Sequence, residues 1–65
     1  MQQEIDFMTV AEVARLLRVD QATVRRWIAG GILPAYRVGR RKLYIDRKDV
    51  HEFVAMSRTQ TQRRQ

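Results

Sequence analysis

Residues 9–31 of the chain read TVAEVARLLRVDQATVRRWIAGG, and this stretch decides the fold. It opens on Thr9 and carries Glu12 three positions later, the capping-box pattern in which a hydroxyl and a carboxylate accept backbone amides at a helix start. An apolar stripe at helical spacing follows, formed by Val10, Val13, Ala14 and Leu17. The pattern predicts an amphipathic helix that begins after Thr9 and packs through one face.

A second helix is predicted immediately after the first. The apolar spacing breaks at Arg18, and Asp20 then offers a carboxylate cap to a helix over residues 21–29. The pair Gly30-Gly31 supplies the left-handed cap that ends this helix. A connection of about three residues between two helices makes them cross steeply, so the stretch predicts a helix-turn-helix.

The periodicity changes from helical to alternating after Pro34, which stops any further helix. Polar and apolar side chains alternate over residues 36–38 and again over residues 42–45, on either side of a turn at Gly39-Arg40-Arg41. The sequence therefore predicts a β-hairpin with a basic tip.

A third helix is predicted to close the core. Asp46 is its candidate N-cap with Asp49 at the third position, and Val50, Phe53 and Val54 follow at helical spacing. The order helix, helix, hairpin, helix is that of a winged helix-turn-helix, a mixed α+β and mostly helical fold.

The chain of 65 residues is expected to form one domain, which at this size buries roughly 60% of the unfolded surface. We expect an N-terminal segment at residues 1–7 and the winged helix-turn-helix at residues 8–56. Residues 57–65 are polar, rich in Gln, Thr and Arg, and are expected to form a flexible basic tail.

The charge of the chain points to a polyanionic partner. Thirteen Lys and Arg residues against seven Asp and Glu residues give a formal net charge of +6. The excess positive charge is concentrated between Arg18 and Ile45, a segment with seven basic residues and one acidic residue, Asp20. A generally basic surface is the alternative, but it does not account for this clustering. Nucleic acid is therefore the first candidate partner.

The second predicted helix carries side chains that suit a DNA groove. Arg25 and Arg26 lie away from its apolar stripe. In the major groove of double-stranded DNA, arginine bonds guanine, and small side chains touch thymine methyl groups. The predicted recognition residues are Gln21, Ala22, Thr23, Arg25 and Arg26. The alternative for the two arginines is a solvated face with salt links to Asp49 or Glu52.

The hairpin is predicted to act as a DNA-binding wing. Its candidate residues are Arg37, Gly39, Arg40, Arg41 and Lys42. The glycine lets the backbone turn tightly, and the basic side chains suit phosphates or a narrow minor groove. The alternative is that these charges only protect an edge strand from aggregation. Arg18 and the hydroxyl of Tyr44 are further candidates for contacts with the DNA backbone.

Aromatic residues give little support to a platform for unpaired bases. Trp27 belongs to the apolar stripe of the second helix and is expected in the core. Tyr36 and Val38 fall on one face of their strand and Arg37 on the other. Tyr44 is expected on the outward face of the next strand, with no second aromatic residue on that face.

The residues needed for other classes of function are missing. There is no cysteine, and His51 is the only histidine, so we expect neither a metal nor a cofactor. Ser57 is the only serine, and no carboxylate pair or phosphate-binding glycine loop appears, so we expect no catalysis. No apolar run approaches the ~20 residues of a membrane span. We expect a cytoplasmic, nucleoid-associated protein of a bacterial or phage-infected cell.

The chain resembles the excisionase-type members of the winged helix-turn-helix group related to the MerR regulators. The resemblance runs from about Phe7 to Val54. It rests on the order and spacing of MTVAEVA at 8–14, TVRRWI at 23–28, GILPA at 31–35, RVGRR at 37–41 and residues 46–54.

The resemblance implies a recognition helix over residues 21–29 and a wing over residues 37–42. It also implies an architectural factor that binds repeated DNA sites, with protomers side by side, bends the DNA and directs an integrase toward excision. A small transcriptional regulator at a promoter is the first alternative. An interaction adaptor of a recombinase, with weak DNA binding, is the second. The long dimerising helix of MerR regulators proper is not found after Arg58.

Overall fold

The architecture has the predicted order of elements, with one strand added in front. The computed structural model describes residues 6–58, and the predictions for residues 1–5 and for the tail at residues 59–65 lie outside it. The elements are β1 (Phe7–Thr9), α1 (Val10–Leu17), α2 (Gln21–Ala29), β2 (Tyr36–Val38), β3 (Lys42–Asp46) and α3 (Arg47–Met56). Three helices and a three-stranded antiparallel sheet confirm the mixed α+β, mostly helical class of a winged helix-turn-helix.

The helix starts are those that the sequence predicts. At α1 the Thr9 amide donates to Glu12 Oε1 at 2.9 Å and the Glu12 amide donates to Thr9 Oγ1 at 3.1 Å, which completes the capping box. At α2 the Asp20 carboxylate accepts the Thr23 amide at 3.0 Å. Asp46 caps α3. These bonds satisfy amide groups that a helix start otherwise leaves without a partner.

The turn between α1 and α2 depends on a left-handed residue that the sequence does not mark. Arg18 has φ 58°, although it is not a glycine. The next amide, that of Val19, donates to the Ala14 carbonyl at 2.9 Å, as in the caps that end helices. At the end of α2 the same role falls to Gly31, with φ 78°, as the glycine pair predicts.

The additional strand, β1, makes β3 the centre of the sheet. The strand order is β1-β3-β2, and both neighbours run antiparallel to β3. Met8 pairs with Ile45, and both side chains are buried in the core. An ion pair between Asp6 and Arg47, with 2.8 Å between Oδ2 and Nε, lies beside this ladder. The hairpin is therefore part of a larger sheet that begins with residue 7.

One core lies between the inner face of the sheet and the three helices. Its buried members are Met8, Val10, Val13, Ala14, Val24, Leu33, Ile45 and Val50. Trp27 packs at its edge against Phe53, with ring centroids 4.8 Å apart, which agrees with its predicted place in the core. Val54, predicted to help close the core, is instead 45% exposed, whereas Val50 is buried and Phe53 packs against the core.

The register of the hairpin corrects the predicted distribution of aromatic residues. Tyr36 pairs with Tyr44, and Val38 pairs with Lys42. Directly paired residues share a face of a sheet, so Tyr36 lies on the outward face beside Tyr44. The expectation that this face holds no second aromatic residue is therefore wrong. A loop of odd length, residues 39–41, fixes the register in which these residues meet.

Candidate nucleic-acid interface

The predicted recognition residues form one side of α2. Gln21, Ala22, Arg25 and Arg26 are exposed, while Val24 is fully buried on the opposite side. Thr23 is half-buried, and its hydroxyl donates to Asp20 Oδ1 at 2.6 Å. The hydroxyl hydrogen of Thr23 is thus used within the protein, whereas the two arginines extend from a fixed helix face toward solvent.

An open cleft joins α2 to the wing. It has a volume of about 290 Å³ and is bounded by the start of α1, one side of α2 and strand β3. Its lining residues are Thr9, Val10, Ala11, Gln21, Arg25, Arg41, Lys42, Leu43 and Tyr44. We call this the wing cleft. It brings together five residues that sequence reasoning took from two separate segments, namely Gln21, Arg25, Arg41, Lys42 and Tyr44.

The other predicted site residues lie outside the wing cleft. Arg26, Ala22 and Thr23 are on α2 beyond its lining, and Arg18 lies in the turn before α2. On the hairpin, the predicted site residues outside the lining are Arg37, Gly39 and Arg40, and all three are exposed. Gly39 has φ 78°, which explains the need for glycine at the tip. The predicted set is therefore divided between the cleft and its surroundings.

Sequence reasoning missed the start of α1 as part of this surface. Thr9, Val10 and Ala11 line the wing cleft because β1 holds the start of α1 against β3. The capping box marks this helix start in the sequence, but its position beside the wing follows only from the pairing of Thr9 with Tyr44. The cleft consequently has a helix N-terminus on one wall and basic residues on two others.

The acidic residues of the domain are largely used within the fold. Glu12, Asp20 and Asp46 accept backbone amides at helix starts, and Asp6 pairs with Arg47. Between residues 6 and 58 the arginines of α2 and of the wing form no ion pair with another residue of that range. The salt links to Asp49 or Glu52 that sequence reasoning kept as an alternative are thus not formed there.

The Asp20 carboxyl is held in its charged form by the helix that it caps. Its pKa is lowered from the ordinary value of 3.8, chiefly by the hydrogen bond from the Thr23 hydroxyl and next by the Thr23 amide. The charge of Arg26 acts in the same direction with a smaller effect. The negative charge at the start of α2 is therefore a fixed part of the surface near the arginines.

A second, mostly apolar groove lies on the α3 side of the molecule. It has a volume of about 380 Å³ and is lined by Ile32, Pro34, Asp49, Glu52, Phe53, Met56 and Ser57. It shares no lining residue with the wing cleft. Within residues 6–58, Asp49 and Glu52 are the carboxylates that neither accept a hydrogen bond nor form an ion pair. We call this the α3 groove.

Among residues 6–58 no three His, Asp or Glu side chains come together in a way that could hold a metal ion. None of the helices described is long and apolar enough to cross a membrane. His51 is exposed on α3.

Comparison with known proteins agrees with this geometry. A family model described as "Helix-turn-helix domain" matches residues 7–58. A protein of Mycobacterium tuberculosis strain H37Rv, named "Putative DNA-binding protein Rv0500A", is 45% identical over 56 residues. That match covers 86% of this chain and 70% of the mycobacterial protein.

Longer proteins carry a similar segment. The protein named "Transcriptional repressor DcmR" of Methylorubrum extorquens is 40% identical over 55 residues, which are 83% of this chain and 21% of the repressor. The Bacillus subtilis protein YvgK is 44% identical over 50 residues, which are 77% of this chain and 16% of that protein. No solved structure matches the chain significantly.

Proposed function

This chain belongs to the helix-turn-helix domain family, and on that premise we propose that it binds double-stranded DNA at specific sites through α2 and the wing. The observation that carries the proposal is the wing cleft. A recognition helix and a basic ribbon meet there at one open surface, and the acids of the fold are mostly occupied elsewhere. In this role Arg25 and Arg26 read base edges, and the wing contacts phosphates.

The biological role that we propose first is that of an excisionase-type architectural factor. It is supported by the resemblance to excisionases of the MerR-related winged helix-turn-helix group, spread over residues 7–54. In this role the chain binds repeated sites, with protomers side by side, bends the DNA and directs an integrase toward excision. The role includes no covalent step on DNA by this chain.

A transcriptional regulator is the second candidate, and one comparison favours it. The similar segment of the Methylorubrum extorquens protein belongs to a chain named as a transcriptional repressor. A regulator uses the same DNA-binding residues and differs in the position of its sites. The two candidates therefore make the same prediction for α2 and the wing, and they differ in the position of their sites and in whether the bound DNA is bent.

A mobility-shift titration on the DNA that flanks the native gene tests the role. Competitor DNA measures specificity, and circularly permuted probes detect bending. Stepwise, bent complexes beside an attachment site support the excisionase, and an unbent complex at a promoter supports the regulator. The absence of any specific complex would overturn site-specific DNA binding.

A further inference from the structure

The outward face of the sheet carries an aromatic cluster, and no helix or strand among residues 6–58 covers it. Phe7, Tyr36 and Tyr44 come from three different strands. The ring centroid of Phe7 lies 5.4 Å from that of Tyr36 and 5.6 Å from that of Tyr44, with the second pair stacked at 21°. We call these three residues the aromatic face. Its members are brought together by the strand order, since Phe7 is far from both tyrosines in the sequence.

In the part of the chain that the structure describes, the helices pack on the inner side of the sheet and leave the aromatic face uncovered. Met8 and Ile45, on the inner face, are 4% and 0% exposed, whereas Tyr36 on the outward face is 50% exposed. Phe7 and Tyr44 are half-buried against each other. A bare sheet face with exposed aromatic and apolar side chains is costly in water and marks an interaction surface.

The charge around the aromatic face favours a nucleic acid as the occupant. Lys42 pairs with Val38 on the same face, and the tip with Arg40 and Arg41 lies directly beyond it. Among residues 6–58, the one carboxylate at an outward position of the sheet, that of Asp46, is occupied in capping α3. Flat aromatic side chains beside a basic margin are the features with which proteins hold unpaired bases, which stack on the rings while the phosphates meet cations.

We propose that the aromatic face binds single-stranded DNA by stacking unpaired bases on Tyr36 and its neighbours. The site adjoins the wing cleft through Tyr44, which belongs to both surfaces. The domain consequently has two DNA-binding surfaces side by side, one for a duplex groove and one for unpaired bases. Such an arrangement suits DNA in which a duplex borders an opened strand.

The test must separate stacking from the general attraction of a basic protein for phosphates. Fluorescence anisotropy of the full chain is measured with an oligothymidylate of about 10 nucleotides and with an abasic oligonucleotide of the same length and charge. We expect the oligothymidylate to bind at least about tenfold more tightly, since each stacked base contributes on this scale. Equal affinity for the two ligands would overturn the proposal, and this comparison requires no variant.

Substitution of Tyr36 then locates the stacking surface. Tyr36→Phe keeps the ring and should retain the preference for bases, whereas Tyr36→Leu keeps apolar area without a flat ring and should lose most of it. Ile32→Ala, at another exposed apolar position, is the matched control and should change nothing. A preference that survives Tyr36→Leu would overturn the assignment to this face. So would sedimentation showing that the face joins two copies of the chain and excludes the oligonucleotide.

A further variant distinguishes this site from the duplex site. Arg26→Ala should weaken specific duplex binding and leave the preference for bases over abasic DNA unchanged. Tyr36→Leu should leave specific duplex binding unchanged and should reduce the preference for bases over abasic DNA. Parallel losses in both assays for both variants would show one shared surface and would contradict a separate site for unpaired bases.

Discussion

Thr23 donates both its hydroxyl and its amide hydrogen to the Asp20 carboxylate, at 2.6 and 3.0 Å. A residue of the proposed DNA-reading face is thereby held by the residue that starts the helix. Its hydroxyl hydrogen is engaged inside the protein, so the part of Thr23 that remains for a thymine is its methyl group. The stability of α2 and the shape of its DNA-facing side therefore depend on the same carboxylate.

Acid should weaken the fold through Asp20. Because its pKa is lowered in the folded state, the charged cap contributes stability above the ordinary value of 3.8 and loses it as the pH falls through the lowered pKa. Asp20→Asn preserves an acceptor for the Thr23 amide but cannot titrate. Urea unfolding between about pH 6 and pH 2 should show a smaller loss for Asp20→Asn than for the parent chain. Equal losses would contradict this role of the Asp20 charge.

The two glycines after α2 should respond differently to alanine. Gly31 has φ 78°, so Gly31→Ala should lower the free energy of unfolding by about 1 kcal/mol. Gly30 has φ −82°, and a Cβ there would lie 3.4 Å from the Arg26 carbonyl oxygen, an ordinary contact. Gly30→Ala should change stability by no more than about 0.5 kcal/mol. Denaturant titration of both variants measures the difference, and the opposite order would contradict the cap geometry.

The contact of Trp27 with Phe53 should be the main link between α2 and α3. Trp27→Ala removes a large ring from the edge of the core and should lower the free energy of unfolding by about 3 kcal/mol. Val54→Ala, at a residue of α3 that is 45% exposed, is the control and should cost about 0.5 kcal/mol. Urea denaturation followed by far-ultraviolet circular dichroism provides both values. Similar decreases in the free energy of unfolding for the two variants would show that the contact between the rings contributes little to stability.

Loss of an arginine from α2 should change both affinity and base preference. Arg25→Ala or Arg26→Ala should cost about 1 to 3 kcal/mol of binding free energy at a specific duplex site and relax the preference at the contacted base pair. Arg15→Ala removes the same charge from an exposed position of α1 and is the matched control. Selection of bound sequences from a random pool measures the preference. An unchanged preference in both α2 variants would remove these residues from base recognition.

The wing arginines should act on all sequences alike. Arg40→Ala and Arg41→Ala should weaken duplex binding without a change of base preference. Each should reduce the slope of log K against log salt by about one unit per lost phosphate contact. Lys48→Ala, at an exposed position of α3, should leave the slope unchanged. A slope that does not differ between the wing variants and the control would exclude the wing from the DNA contact.

The parts of the fold that depend on local signals could be predicted from the sequence. The bounds of α2, the capping box of Thr9 and the left-handed Gly31 all follow from residues within one or two helical turns. Local patterns also place Trp27 in the core. In each case the deciding contact lies within the element or immediately beside it, where residue type and spacing determine the outcome.

The parts that depend on distant pairing could not be predicted. β1 has only three residues, too few for a periodic pattern to mark it in the sequence. Its pairing with β3, in which Met8 lies opposite Ile45, joins residues far apart in the chain. The face on which Tyr36 lies could not be predicted, because it depends on the register that pairs Tyr36 with Tyr44 and not on the alternation within its own strand. The wing cleft has the same origin, since β1 brings Thr9 to β3. The left-handed backbone conformation of Arg18 could not be predicted either, because it is rare in residues other than glycine.

The central place of β3 has a consequence for biosynthesis. β1 is made first, yet its only ladder partner in the described part of the chain is β3, and the Asp6–Arg47 pair closes across 41 residues. During translation, β1 cannot pair with β3 until nearly the whole domain has been synthesised. Nascent chains that end before residue 42 therefore lack the central strand and cannot form the sheet, so the sheet is completed late in synthesis.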